Sequence, residues 1–159
     1  MKLAALAIIL AALTAGFAAT GNAKEFFRVP TCPSHAPKFT SLNGTSTHFV
    51  RPGAQMMRLC RYYKNNWADP YGLWRHRLIK NYTTVTSLTN AFNRLQPPPR
   101  GIFCVKDDGS EMALFFAYAG GTHERVIVKL SGCRFATNGR STRSTTAKLH
   151  NRLLALSNN

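Results

Sequence analysis

Four cysteines, Cys32, Cys60, Cys104 and Cys133, constrain this 159-residue chain more than any other feature. An even number of cysteines in a chain with an export signal reads as a set of bridges, and four allow three pairings. Joining sequence neighbours, Cys32 to Cys60 and Cys104 to Cys133, closes two loops of similar length, and chain entropy assigns roughly 3–4 kcal/mol to such a loop. This pairing is predicted over the other two. The first bridge would tie a proline-rich arm to the opening strand, and the second would lock a strand meander. No Cys-x-x-Cys and no neighbouring His pair occurs, so the spacing matches no zinc site and neither a metal nor a cofactor is expected.

The export signal is read from residues 1–23. Lys2 is followed by the apolar run Leu3 to Leu13 and then by small residues, the order of a secretory signal. That run falls short of the roughly 20 residues a spanning helix needs. Gly21-Asn22-Ala23 predicts cleavage after Ala23, with Ala18 as the alternative site and an uncleaved anchor as the alternative fate. Residues 24–159 remain, one domain's length, and a secreted or cell-wall-associated monomer is expected. The chain carries 21 Lys and Arg against 6 Asp and Glu, a formal net charge of +15. Such a surface attracts polyanions, although charge also serves solubility alone.

Residues 24–50 read as an irregular arm, interrupted by Pro30, Pro33 and Pro37, with the single α+β domain over 51–159. Gln55 to Tyr63 and Leu73 to Lys80 alternate and predict two strands joined by the polar loop Lys64 to Gly72. In Thr84 to Gln96 the period changes: Val85, Leu88, Phe92 and Leu95 recur at helical spacing. Thr83 or Thr84 would cap this helix, and Pro97-Pro98-Pro99 ends it. Strands are then expected over Ile102 to Lys106, Glu111 to Tyr118, Glu124 to Leu130 and Cys133 to Thr137, with hairpin turns at Asp107-Asp108-Gly109 and Gly120-Gly121. Ser144 to Leu156 reads as a second helix through Leu149, Leu153 and Leu156. The expected fold is an antiparallel sheet of five to six strands with two helices covering one face, in the order β-β-α-β-β-β-β-α.

No Gly-x-Ser-x-Gly elbow, phosphate-cradling Gly loop or His-Glu-x-x-His helix is present, so no catalytic residue is assigned and no enzyme is expected. Asp107 and Asp108 are adjacent in a tight turn, where backbone hydrogen bonding accounts for Asp. His35, His48, His76, His123 and His150 are scattered. Asn43-Gly44-Thr45 and Asn81-Tyr82-Thr83 fit glycosylation acceptors.

The candidate binding region runs from Arg58 to Tyr82. It holds both tryptophans and four of the five tyrosines, interleaved with cations against the single acid Asp69. The residues assigned to it are Arg58, Arg61, Tyr63, Lys64, Trp67, Tyr71, Trp74, Arg75 and Arg77. Flat rings stack on sugars and unstacked bases while Arg and Lys neutralise charge. Strands favour aromatics anyway, so part of the set would serve packing. A second basic segment holds Arg125, Lys129, Arg134, Arg140, Arg143, Lys148 and Arg152, with no acid after Glu124. It reads as solvated surface.

Val50-Arg51-Pro52-Gly53-Ala54 followed by Leu59-Cys60-Arg61-Tyr62 resembles the opening of a family of exported, disulfide-containing proteins of high-GC Gram-positive bacteria. The likeness continues through Leu88 to Leu95 with its Phe92-Asn93-Arg94-Leu95 ending, Cys104, Asp108-Gly109, Phe115-Phe116-Ala117-Tyr118, Gly132-Cys133 and Asn138-Gly139. It covers roughly residues 50–140. It implies export and a shared fold, and assigns no catalytic or binding residue.

The function expected is that of a non-enzymatic secreted or envelope-associated binding protein. Its partner would be an anionic cell-wall polymer, an acidic lipid surface or another polyanion. The alternative is a secreted protease inhibitor or protein-interaction module. It would present Lys64 to Gly72 or Gln96 to Gly101 as a rigid loop to a secreted protein.

Overall fold

The computed structural model describes residues 27–38, 47–63 and 72–158. The signal peptide expected over 1–23, the Asn43-Gly44-Thr45 acceptor, and Lys64, Trp67 and Tyr71 lie outside those residues. Among the described residues no helix is long and apolar enough to cross a membrane.

The described residues form one antiparallel sheet with two α-helices. The elements are β1 (Met56–Tyr63), β2 (Gly72–Ile79), α1 (Tyr82–Asn93), β3 (Glu111–Ala117), β4 (His123–Lys129), β5 (Phe135–Thr137), β6 (Thr142–Ser144) and α2 (Ala147–Asn158). Spatial order is β2-β1-β3-β4-β5-β6, every neighbouring pair antiparallel. The order β-β-α-β-β-β-β-α and the α+β class are those expected.

One strand of that order is not the one predicted. Residues 102–106 form no strand, and a short β6 completes the count instead. The physical reason lies in the sheet. Strand β3 already pairs with β1 on one edge and β4 on the other, so a hairpin partner before it has nowhere to bond. The Asp-Gly turn survives as a loop turn, with Gly109 at φ 78°. Helix α1 also starts earlier than expected. Asn81, not Thr83 or Thr84, is the cap, its Oδ1 accepting from the Thr84 N–H at 2.8 Å.

Both faces of the sheet are covered. Met57, Leu59, Met112, Leu114, Phe116, Val126 and Val128 point to the helix side, where they meet Val85, Leu88 and Phe92 of α1 and Leu149 and Leu153 of α2. Phe92 anchors this core, stacking on Phe49 at 6.1 Å and meeting the Phe116 ring edge-on at 6.0 Å. On the opposite face, Cys60, Tyr62, Ala113 and Phe115 pack against Val29, Cys32 and Ala36 of the arm and against Leu73. The Tyr62 hydroxyl donates to the Pro33 carbonyl at 3.1 Å, and the Leu73 N–H donates to the Ser34 carbonyl at 2.7 Å. Buried on both sides, β3 reads as an almost continuous apolar run rather than an alternating one. Phe49 and Val50, placed by sequence in the arm, are core residues.

Both bridges join the predicted partners. Cys32 and Cys60 have Cα atoms 5.6 Å apart, and Cys104 and Cys133 4.9 Å apart.

Several polar side chains latch segments of this fold that are distant in sequence. Asn93 clamps Val50 with its side-chain amide, donating to the Val50 carbonyl and accepting from the Val50 N–H, each at 2.8 Å. Asn138 donates to the Phe49 carbonyl at 2.9 Å and accepts from the backbone of Arg140 and Ser141. Glu124 accepts from the Arg51 N–H at 2.8 Å, and the Tyr118 hydroxyl lies 2.9 Å from the same carboxylate oxygen. Burial and the Glu124 charge push the Tyr118 phenol well above its usual range.

Candidate functional site

The alternating side chains of β1 decide which predicted site residues can meet. Arg61 shares the parity of Met57 and Leu59 and therefore lies on the helix side. Across the β1–β2 ladder Arg61 is opposite Arg75 and Leu59 is opposite Arg77, so all three arginines occupy that face. The register then slips: Arg61 pairs with Arg75 but Tyr62 pairs with Leu73, leaving Trp74 as a bulged residue. A bulge re-aims a side chain, and here it turns the indole into the arginine cluster.

The result is a stacked group at the end of the sheet. The guanidiniums of Arg61 and Arg75 each lie 4.5 Å from the centre of the Trp74 ring. The Tyr63 ring sits beside it, 5.8 Å away and tilted by 37°. Trp74 remains 49% exposed, an unusual amount for an indole with three such neighbours.

The C-terminus of α2 holds the arginines in place. Arg61 donates to Ser157 Oγ at 3.3 Å and to Asn158 Oδ1 at 3.2 Å. Arg75 donates to the same Asn158 oxygen at 3.3 Å, and Arg77 to the Leu156 carbonyl at 3.2 Å. Cations are favourable at this end of a helix, where the last carbonyls lack partners and the dipole is negative. A guanidinium carries five N–H donors, so these contacts orient each side chain without exhausting it. Burial, and then the charge of Arg75, lowers the Arg61 pKa, which marks a site where two cations are held close together.

Arg58 does not belong to the group. It shares the parity of Cys60 and Tyr62 and lies on the arm-covered face, so the predicted set splits across the sheet. Of the nine residues assigned from sequence, Arg61, Tyr63, Trp74, Arg75 and Arg77 come together, and Lys64, Trp67 and Tyr71 lie outside the described residues. Sequence reasoning missed Leu156, Ser157 and Asn158. They belong to the far end of the chain, and no local signal connects them to β2.

The four described carboxylates all serve the fold. Asp107 accepts from the Gly109 N–H at 2.8 Å and Asp108 from the Ser110 N–H at 2.8 Å, with Ser131 Oγ 2.6 Å from each. These hydrogen bonds hold both carboxyls below the usual range. Glu111 takes Lys129 Nζ at 2.6 Å, and Glu124 serves the Arg51–Tyr118 latch. A cleft of about 740 Å³ between the arm and β4 is lined by Asp107 and the Glu111–Lys129 pair. Among the described residues no group of three His, Cys, Asp or Glu could hold a metal ion.

His150, buried on α2, titrates under the same positive field. Burial, then Arg134 and Arg61, lower its pKa below the ordinary 6.5. A native state that resists protonating a histidine binds fewer protons than the unfolded chain. The stability His150 contributes is thus complete above pH 6.5 and is lost as pH falls from there toward the folded value. Replacing His150 with Gln is expected to flatten this part of the stability profile, measured by denaturation midpoints between about pH 7 and pH 5. An unchanged slope would show that His150 is not the titrating group.

No family model matches the chain, and no curated protein or solved structure matches it.

Proposed function

We propose that this is an exported, non-enzymatic binding protein that takes an anionic polymer on the Arg61–Trp74–Arg75 cluster. The observation that carries the reading is the half-exposed indole with two guanidiniums each 4.5 Å from its ring centre and Tyr63 alongside. A flat apolar ring offers a stacking face to a sugar or an unstacked base, and the flanking cations meet the charge on the same polymer. The arginines are oriented by α2 before any ligand arrives, which reduces the ordering cost of binding. The net charge of +15 supplies the long-range attraction. The two disulfides suit an oxidising compartment outside the cytosol.

Charge alone would bind polyanions, so the test must separate the site from the field. Trp74→Ala alters no charge and removes the stacking face. It is expected to weaken binding of a sulfated polysaccharide such as heparin by about tenfold, the effect of roughly 1–2 kcal/mol of stacking. Neutralising Arg143, Lys148 and Arg152 together should lower affinity less than that, and mainly at low salt. Titrations at two salt concentrations read both effects. Affinity that follows total charge and ignores Trp74 would leave only a sticky basic exterior.

A further inference from the structure

The segment expected to be a strand, residues 102–106, does something else. Phe103 is 99% exposed, Val105 75% and Ile102 45%, the most exposed run of large apolar side chains among the described residues. Isolated exposed apolar residues are ordinary, but three within four positions are not. Cys104 is fastened to Cys133, and the whole stretch 101–108 is exposed, so no layer of the fold covers Phe103 and Val105. The segment is anchored at Cys104 and again where Ser131 Oγ receives the Asp108 N–H at 3.0 Å.

Cations flank this segment in sequence and at its bridge. Arg100 and Lys106 bracket the apolar residues in sequence, and both are exposed. Arg134, beside the bridge, is held in the left-handed region at φ 50°, its carbonyl taken by the Thr145 N–H at 3.0 Å. Asp107 and Asp108 follow Lys106 and are exposed, their carboxylates accepting from backbone N–H groups and Ser131, and no acid follows Glu124 in the chain.

We infer that residues 100–106 are a membrane-docking wedge, in which Ile102, Phe103 and Val105 enter the headgroup region of an acidic lipid bilayer while Arg100, Lys106 and Arg134 meet its phosphates. Apolar side chains with a basic rim are the requirements for binding a negatively charged interface without spanning it. Charge selects the partner: the chain carries a formal +15 and stands Arg100 and Lys106 beside the apolar residues, so an anionic bilayer attracts this surface where a neutral one does not. The wedge stands on its own observations and does not depend on the Trp74 cluster.

The experiment is co-sedimentation of the full chain with phosphatidylglycerol vesicles and with phosphatidylcholine vesicles. Every variant keeps the apolar run Leu3 to Leu13, whose contribution is therefore common to all arms. F103S/V105S is expected to weaken partition to phosphatidylglycerol by about tenfold or more, and F103L/V105L to retain it. Arg100→Gln with Lys106→Gln should weaken it by about fivefold per cation removed. Phe103→Trp adds an emission component that shifts to the blue and is quenched by lipids brominated in their acyl chains. Trp74→Ala should leave that insertion signal intact while reducing heparin binding, which separates this surface from the other.

Partition unaffected by F103S/V105S would overturn the wedge and leave simple adsorption. So would an added emission in the F103W variant that brominated lipid does not quench, or a loss of phosphatidylcholine partition in F103S/V105S equal to the loss with phosphatidylglycerol. Tight inhibition of a secreted serine protease that is lost in F103S/V105S, with no vesicle binding, would overturn it too and assign the loop to a protein partner.

Discussion

Replacing Phe92 with Ala is expected to destabilise the protein by about 3–5 kcal/mol, the largest effect of any single substitution considered. Phe92 is fully buried and touches three layers at once: Phe49 from the arm, Phe116 from the central strand, and its own helix. Truncation removes the transfer energy of the ring and leaves a cavity whose walls belong to different elements, so they cannot collapse together. Leu88→Ala should cost about 2–5 kcal/mol for the same reason. Leu95, just beyond the end of α1 and 7% exposed, should fall at the low end of that range. Thermal midpoints would move by on the order of 10 °C for Phe92→Ala. Midpoints unchanged by all three substitutions would mean that α1 does not pack its Val85–Leu88–Phe92 face on the sheet.

Removing the Cys32–Cys60 bridge is expected to be the second large effect. Its sequence separation of 28 residues is nearly that of Cys104–Cys133, at 29. Chain entropy therefore assigns both bridges roughly 3–4 kcal/mol and does not distinguish them. The structure does. Cys32–Cys60 pins the arm over Tyr62, Ala113 and Phe115, so losing it frees the cover of a buried sheet face. Cys104–Cys133 holds an exposed loop whose apolar side chains already face solvent. C32S/C60S should accordingly cost more than C104S/C133S, the difference reflecting apolar area at about 25 cal/mol per Å². Amide exchange should quicken at Tyr62 and Leu73, whose contacts to Pro33 and Ser34 depend on the arm. A smaller loss for C32S/C60S than for C104S/C133S would show that the arm contributes no cover.

The candidate site divides along a similar line. Its ingredients were legible because Trp, Tyr and Arg crowd between Arg58 and Tyr82 against one acid. Which of them meet was not. Arg58 and Arg61 differ by three positions in a strand with a two-residue period, which places them on opposite faces. Trp74 joins Arg61 only because a bulge breaks the alternation, and alternation alone does not reveal a bulge. The segment 102–106 departs from expectation for a related reason. Its composition is that of a strand, but strand formation requires a free edge, and β3 has none.

What the chain determined by itself was whatever local physics decides. Helical spacing in Val85, Leu88 and Phe92, with prolines beyond, specified α1, and alternation specified β1 and β2. Two cysteine pairs at similar short separations favoured the neighbour pairing found. Only the tertiary structure decided the rest, because it depends on residues distant in sequence. The arm became a second cover layer since β1 and β3 had a second apolar face to bury. Asn158 came to orient Arg61 and Arg75 from positions 97 and 83 residues away. Phe103 was left in solvent because both edges of its intended partner were already taken, a competition that no single segment encodes.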